Sequence, residues 1–254
     1  MNSVWSREET IVAFNVYCKI PFKVSSKTNP TVIKYAKILG RSPSSLNMKV
    51  GNFGRLDPSL RSKGITGLVH GAKMEEEVWD EFVDNPEKLA FESERLIAEF
   101  SERSIEESSG IDTGDLPKGE ERVAFVKQRV NQAFFRSAVM SSYNFTCCVS
   151  GLAEPRLLEA CHIVGWAKNE QNRVNPQNGL CMNSLFHKAY DNYLLAISPD
   201  LKVKISGALF ESAKEEVLRS YLGTLDGKVI TVPDKFLPKR EFLEEHYSNF
   251  LARS

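Results

Sequence analysis

The sequence predicts an α+β chain in which a helical N-terminal part precedes a unit of short strands and helix. Three observations point there. Up to about residue 60, capping residues and first-turn prolines recur at the heads of segments with helical apolar spacing. The stretch "IEESSGIDTGDLPKGEE" is rich in Gly, Ser and acid and poor in apolar residues, as a linker is. Beyond it, short apolar runs such as "LLEACHIV" alternate with polar loops.

The N-terminal elements follow in order. In "SREETIVAFNVYC", Ser6 and Glu9 form a capping box, and Ile11, Phe14 and Cys18 follow at helical spacing. In "TNPTVIKYAKILG", Asn29 caps and Pro30 takes the first helical position. Val32, Ile33, Ala36 and Leu39 make the apolar face, and Gly40 ends the helix. In "RSPSSLNMKVGNFGRLDP", Ser42 and Pro43 repeat the cap, and Leu46, Val50 and Phe53 face inward. That leaves Ser44, Ser45, Asn47, Lys49, Asn52 and Arg55 outward. "EEEVWDEFVDNPEKLAFESERLIAEFSERS" reads as acidic helix, with Trp79, Phe82 and Val83 as packing residues. The expected organisation is a helical domain over 1–104, a linker over 105–120 and a second domain over 121–254.

The C-terminal part opens with a helix over "RVAFVKQRVNQAFFRSAVMSSYN", its apolar positions being Phe125, Val130, Phe134 and Val139. "FTCCVSGL" reads as a strand leading to a turn at Gly151, and "LLEACHIV" as a second short strand. After a polar loop, "NGLCMNSLFHKAYD" turns into a helix. "LLAISPDLKVKIS" alternates like a hairpin with its turn near Pro199 and Asp200. The remainder reads as further strands and a closing helix over "KREFLEEHYSNFLA".

The net charge is zero, but it is unevenly laid out. Residues 1–73 hold 12 Lys/Arg against 3 Asp/Glu, residues 74–121 hold 4 against 17, and residues 122–254 hold 17 against 13. The basic N-terminal segment suits a polyanion partner, or else is a solvated surface with none. No apolar run approaches the roughly 18 residues that span a bilayer, and "MNSVWSREET" lacks a signal-peptide pattern, so neither a membrane partner nor secretion is expected. Five cysteines, an odd count, then imply reduced thiols in a cytoplasm. The chain has no CxxC pair, which argues against a four-cysteine zinc site.

Only four histidines occur, and two of them, His162 and His187, flank Asn178. His162 ends a short apolar strand, where a buried core histidine is the plain reading. His187 and Asp191 lie one helical turn apart and project from one face. Such a pair can share a divalent cation or simply bond to each other.

The order His162, Asn178, His187, together with "CCVSG", "LLEACHI" and "NPQNGLCMNSLFHKAYD", resembles the HNH endonuclease family over about residues 122–206. The resemblance implies a ββα-metal nuclease domain and metal-dependent hydrolysis of phosphodiesters. Carried over by position, His162 is the general base that activates water, and Asn178 fixes the hairpin and orients that base. His187 is the helix-borne metal ligand, and Asp191 stands where some members place another. Cys161 stands where many members have a ligand Asp or His. Either it packs, and His187 and Asp191 hold the ion, or the site is thiophilic. Mg²⁺ is the expected cofactor, with Mn²⁺, Zn²⁺ or Ni²⁺ as alternatives. Arg136, Lys168 and Arg173 are candidate phosphate contacts.

The N-terminal segment, with its tryptophan, its acidic pair and "LGRSPSSLNMKVGNFGRLDP", is similar to the helical domain that precedes the nuclease domain in many bacterial restriction-type proteins. That implies double-stranded DNA as partner, read by Lys49, Asn52 and Arg55, and a role in restriction or phage defence. Protein docking is the other reading of such a domain. Cutting both strands takes two active sites, so a homodimer is expected. A non-catalytic DNA-binding regulator on an HNH scaffold, and a nuclease acting on RNA or single strands, are the alternatives.

Overall fold

The computed structural model describes residues 4–65, 73–114 and 116–253. The chain falls into two compact units, Met1–Ser141 and Ser142–Ser254. The division comes at the end of a long helix rather than within 105–120, because that helix buries Val126, Val130, Phe134 and Ala138. Among the described residues no helix is long and apolar enough to cross a membrane.

The first unit is helical: α1 (Arg7–Lys19), α2 (Pro30–Ile38), α3 (Pro43–Gly54), α4 (Pro58–Arg61), α5 (Lys73–Phe82), α6 (Pro86–Phe100), α7 (Ile105–Ser109) and α8 (Glu120–Ser142). The Ser6–Glu9 capping box heads α1 as expected, and Asn29 and Ser42 cap α2 and α3. Every residue of α1 from Glu9 to Cys18 is buried, so this helix is the core about which α2, α3, α5 and α6 pack. Phe14 stacks on Phe53 at 4.7 Å and meets Trp79 at 5.1 Å. The Tyr17 hydroxyl donates to Asp57 at 2.6 Å, which satisfies a buried polar pair. On α2 the buried face is Val32, Tyr35, Ala36 and Leu39, while Ile33 is exposed.

The outward face expected of α3 is corrected at two positions. Leu46, Val50 and Phe53 are fully buried, but so, nearly, are Lys49 and Asn52. Both donate to Oε1 of Glu75, at 2.7 Å each, and Glu75 is itself wholly buried on α5. Arg55 pairs with Glu76 at 2.8 Å. The acidic helix α5 covers α3, so α3 has two buried sides, and these side chains neutralise carboxylates instead of facing solvent. The 105–120 stretch is not wholly irregular. Ser104 and Glu107 form a second capping box on α7, and Gly110 ends it in the left-handed region at φ 64°.

The second unit carries β1 (Leu158–His162) and β2 (Gly179–Asn183), paired antiparallel with His162 opposite Gly179 and Leu158 opposite Asn183. Helix α9 (Ser184–Asp191) follows β2 directly, and packs on both strands. The expected hairpin forms as β3 (Leu195–Ile197) and β4 (Val203–Ile205). The "further strands" after it are instead α10 (Gly207–Ser212), α11 (Glu216–Leu225) and an isolated bridge of Lys202 to Val229. The closing helix is present as α12 (Arg240–Leu251) and packs on β3.

"FTCCVSGL" is a turn and not a strand. Asn144 and Phe145 reverse the chain with φ of 52° and 53°, and Gly151 N–H closes onto the Cys147 carbonyl at 2.9 Å. Cys147 and Cys148 are both buried here, and Cys148 N–H donates to the Cys181 carbonyl at 2.7 Å, pinning the turn to β2. The partner of "LEACH" is therefore "GLCMN".

Candidate active site and metal centre

The long loop between β1 and β2 is closed by one buried side chain. Asn178 has no exposed surface. Its Nδ2 donates to the carbonyls of Val164 (3.0 Å) and Asn172 (3.2 Å), and its Oδ1 accepts from Val164 N–H (2.9 Å). Its own carbonyl accepts from Ile163 N–H at 2.9 Å. The carboxamide thus fixes Val164, and the main-chain carbonyl of Asn178 fixes Ile163, to the residue that precedes β2. An amide supplies both donors and an acceptor, which neither Asp nor Leu of similar size can do.

His162 sits at the end of β1, half-buried, with Trp166 edge-on to its ring at 5.7 Å. Nε2 lies 2.9 Å from the Arg173 carbonyl. A carbonyl only accepts, so Nε2 carries the proton and Nδ1 is the basic nitrogen of the neutral ring. Burial pushes the His162 pKa below its ordinary value of 6.5 and the His187 ring adds to this, while the Arg173 carbonyl and Asp191 oppose it. The ring is therefore neutral, and able to accept a proton, at neutral pH.

Helix α9 supplies the opposite wall. Asn183 caps it by accepting from Phe186 N–H at 2.9 Å. Phe186, Ala189 and Tyr190 are buried, which leaves His187 and Asp191 along the helix edge that borders β1. His187 Nε2 lies 3.5 Å from Asp191 Oδ2. The donor atoms of Cys161, His187 and Asp191 all lie within 4.8 Å of one another. One sulfur, one imidazole nitrogen and one carboxylate oxygen so gathered fit a divalent ion. Cys161 is fully buried, and burial, with the carboxylates of Asp191 and Glu159, pushes its thiol well above the ordinary range. The thiol is thus held in its neutral form, beside the imidazole of His187 and the carboxylate of Asp191.

A cleft of about 320 Å³ opens beside these groups, lined by His162, Trp166, Lys168, Tyr190, Asp191 and His246. Lys168 is exposed at its edge. Arg173 is folded back, donating to the Trp166 carbonyl at 2.8 Å and pairing with Glu170 at 3.0 Å. Arg136 lies on α8 in the first unit. The second unit thus gathers His162, Asn178, His187, Asp191 and Cys161.

Sequence reading missed Glu159. It stands two residues before Cys161 and so shares its face of β1. Its Oε2 bonds Nδ1 of His187, and its Oε1 accepts from the Ser184 hydroxyl at 2.8 Å.

No curated protein matches the chain. The family model described as HNH endonuclease matches residues 147–198, a span that runs from the Cys147 turn through β1, β2 and α9 to the end of β3. Strand, strand and helix, with a histidine at the end of the first strand and another on the helix, are the part that matches, and the chain carries a domain of the HNH endonuclease family.

Proposed function

We propose that the protein is a divalent-metal-dependent endonuclease that hydrolyses phosphodiester bonds in double-stranded DNA. The observation that carries this reading is the placement of a neutral His162 on one strand end beside the His187–Asp191 pair on α9. Phosphodiester hydrolysis needs an activated water and a counter-charge for the phosphate oxygens. His162 Nδ1 takes the proton of the attacking water while its Nε2–H stays anchored on the Arg173 carbonyl. His187 and Asp191 hold the ion, with Cys161 as a packed thiol beneath them. A bound divalent ion supplies Lewis-acid stabilisation of the charge on the phosphate and the leaving oxygen. Lys168, at the edge of the cleft, is the candidate phosphate contact in this unit.

The protein acts in restriction or phage defence in a cytoplasm, a reading supported by the family resemblance, and as a homodimer that presents one site to each strand, since cutting both strands takes two sites. The basic N-terminal segment supports DNA as the substrate, though Lys49 and Asn52 are engaged by Glu75. Incubation of purified protein with supercoiled plasmid, with EDTA and with Mg²⁺ or Mn²⁺, tests the reading. Metal-dependent nicking or linearisation is expected. Binding without cleavage at any divalent ion would instead make the protein a DNA-binding regulator.

A further inference from the structure

The cation centre is flanked by a carboxylate that approaches from the wrong side to be a ligand. Glu159 reaches across from β1 and bonds Nδ1 of His187, the nitrogen that points away from Asp191. Its second oxygen accepts from the hydroxyl of Ser184, the first residue of α9 and one turn before His187. Both oxygens are thus engaged by the same helix, so the carboxylate has a fixed orientation although its side chain is 43% exposed. The two nitrogens of an imidazole ring diverge. A carboxylate on Nδ1 therefore lies behind the ring when Nε2 faces Asp191 and Cys161.

We propose that Glu159 is a positioning residue of the cation centre, which it serves by accepting the Nδ1–H bond of His187 and so presenting the Nε2 lone pair to the ion. This rests on the metal reading given above. A neutral imidazole has one proton, and the hydrogen bond at one nitrogen decides which nitrogen is left to bind metal. Without Glu159 the ring turns about its side-chain bonds and the proton distributes over both nitrogens. Ser184 acts one step further out, by holding the carboxylate in register with the ring. Glu159 also brings a negative charge close to the ion without occupying a coordination position.

Calorimetric titration of the full chain with Mn²⁺, without DNA, tests this in wild type, Glu159→Ala and Glu159→Gln. DNA affinity in EDTA and the melting temperature are measured on the same samples. Glu159→Ala is expected to weaken Mn²⁺ binding by about 10–100-fold, the usual cost of removing such an outer partner, with DNA affinity in EDTA unchanged. Glu159→Gln keeps an oxygen that accepts from Nδ1–H, and is expected to recover affinity to within a few-fold of wild type. Wild-type Mn²⁺ affinity in Glu159→Ala would overturn the role. Equal losses in the Ala and Gln variants would place the carboxylate on the ion itself and overturn positioning. Absence of Mn²⁺ binding by the wild type would overturn the metal reading, and this role with it.

Discussion

Asn178 holds Val164 by both of its backbone groups, donating to the carbonyl at 3.0 Å and accepting from the N–H at 2.9 Å. The two residues are 14 apart in sequence, and between them runs the loop that carries Trp166, Lys168 and Arg173. The carbonyl of Arg173 in turn holds His162. His162 is therefore positioned by a chain of bonds that begins at a residue with no exposed surface.

Asn178→Ala should destabilise the second unit by about 2–4 kcal/mol, since it leaves the buried N–H and C=O of Val164 without their partner. Asn178→Asp should do no better, because a carboxylate cannot donate to the Val164 and Asn172 carbonyls. Urea denaturation followed by fluorescence measures both. A loss under about 0.5 kcal/mol in either variant would contradict the clamp.

The buried Lys49–Glu75 pair makes α3 sensitive to the loss of either charge. Glu75 is wholly buried, so Lys49→Ala leaves a buried carboxylate without its counter-charge, at a cost of about 3–5 kcal/mol. The double variant Lys49→Met with Glu75→Gln removes both charges and keeps an acceptor for Asn52, so it should recover most of that loss. Thermal unfolding of the three proteins reads the difference. If Lys49→Ala melts like wild type, the ion pair does not form in solution.

Acid sensitivity follows from His246. Its ring is stacked between Tyr190 at 3.6 Å and Tyr193 at 4.9 Å, and burial, helped by Lys168 and Arg253, pushes its pKa down from 6.5 to about 4. The unfolded chain therefore binds the proton first. The stability present above pH 6.5 is lost as pH falls from there to about 4, by at most roughly 3 kcal/mol. His162 shifts in the same direction. His246→Phe keeps a ring between the tyrosines and cannot be protonated. Its melting temperature should fall less steeply than that of wild type between pH 6.5 and 4, and parallel curves would exclude His246 as the cause.

Cys161→Ser separates the two metal models. With the thiol as a packing group, the variant keeps Mg²⁺- or Mn²⁺-supported cleavage within a few-fold and loses about 1 kcal/mol of stability for a buried hydroxyl. Cleavage assays across Mg²⁺, Mn²⁺, Zn²⁺ and Ni²⁺ distinguish the models. A collapse of activity with a changed order of metals would make the thiolate a ligand.

The parts legible in the sequence were those set by local chemistry. The caps at Ser6, Asn29 and Ser42 announce α1, α2 and α3 because capping is decided within four residues. His162, Asn178 and His187 were legible as a pattern through their order and spacing. What failed depended on distant partners. Lys49 reads as outward from the periodicity of α3, and its burial comes from distant partners, Glu75 on α5 and the Trp5 ring. "FTCCV" has strand composition, but the reversal at Asn144 and Phe145 and the bond from Gly151 to Cys147 make it a turn. Glu159 meets His187 across 28 residues, and nothing local marks a lone acid in a strand as a partner of a histidine.

If His162 moves the proton and His187 with Asp191 holds the ion, Mn²⁺ affinity and plasmid cleavage measured together separate the two roles in His162→Ala and His187→Ala. His162→Ala is expected to bind Mn²⁺ as wild type does and to cleave about 10²–10⁴-fold more slowly, while His187→Ala is expected to lose both Mn²⁺ binding and cleavage. Near-normal turnover in His162→Ala, or unchanged Mn²⁺ affinity in His187→Ala, would contradict these roles.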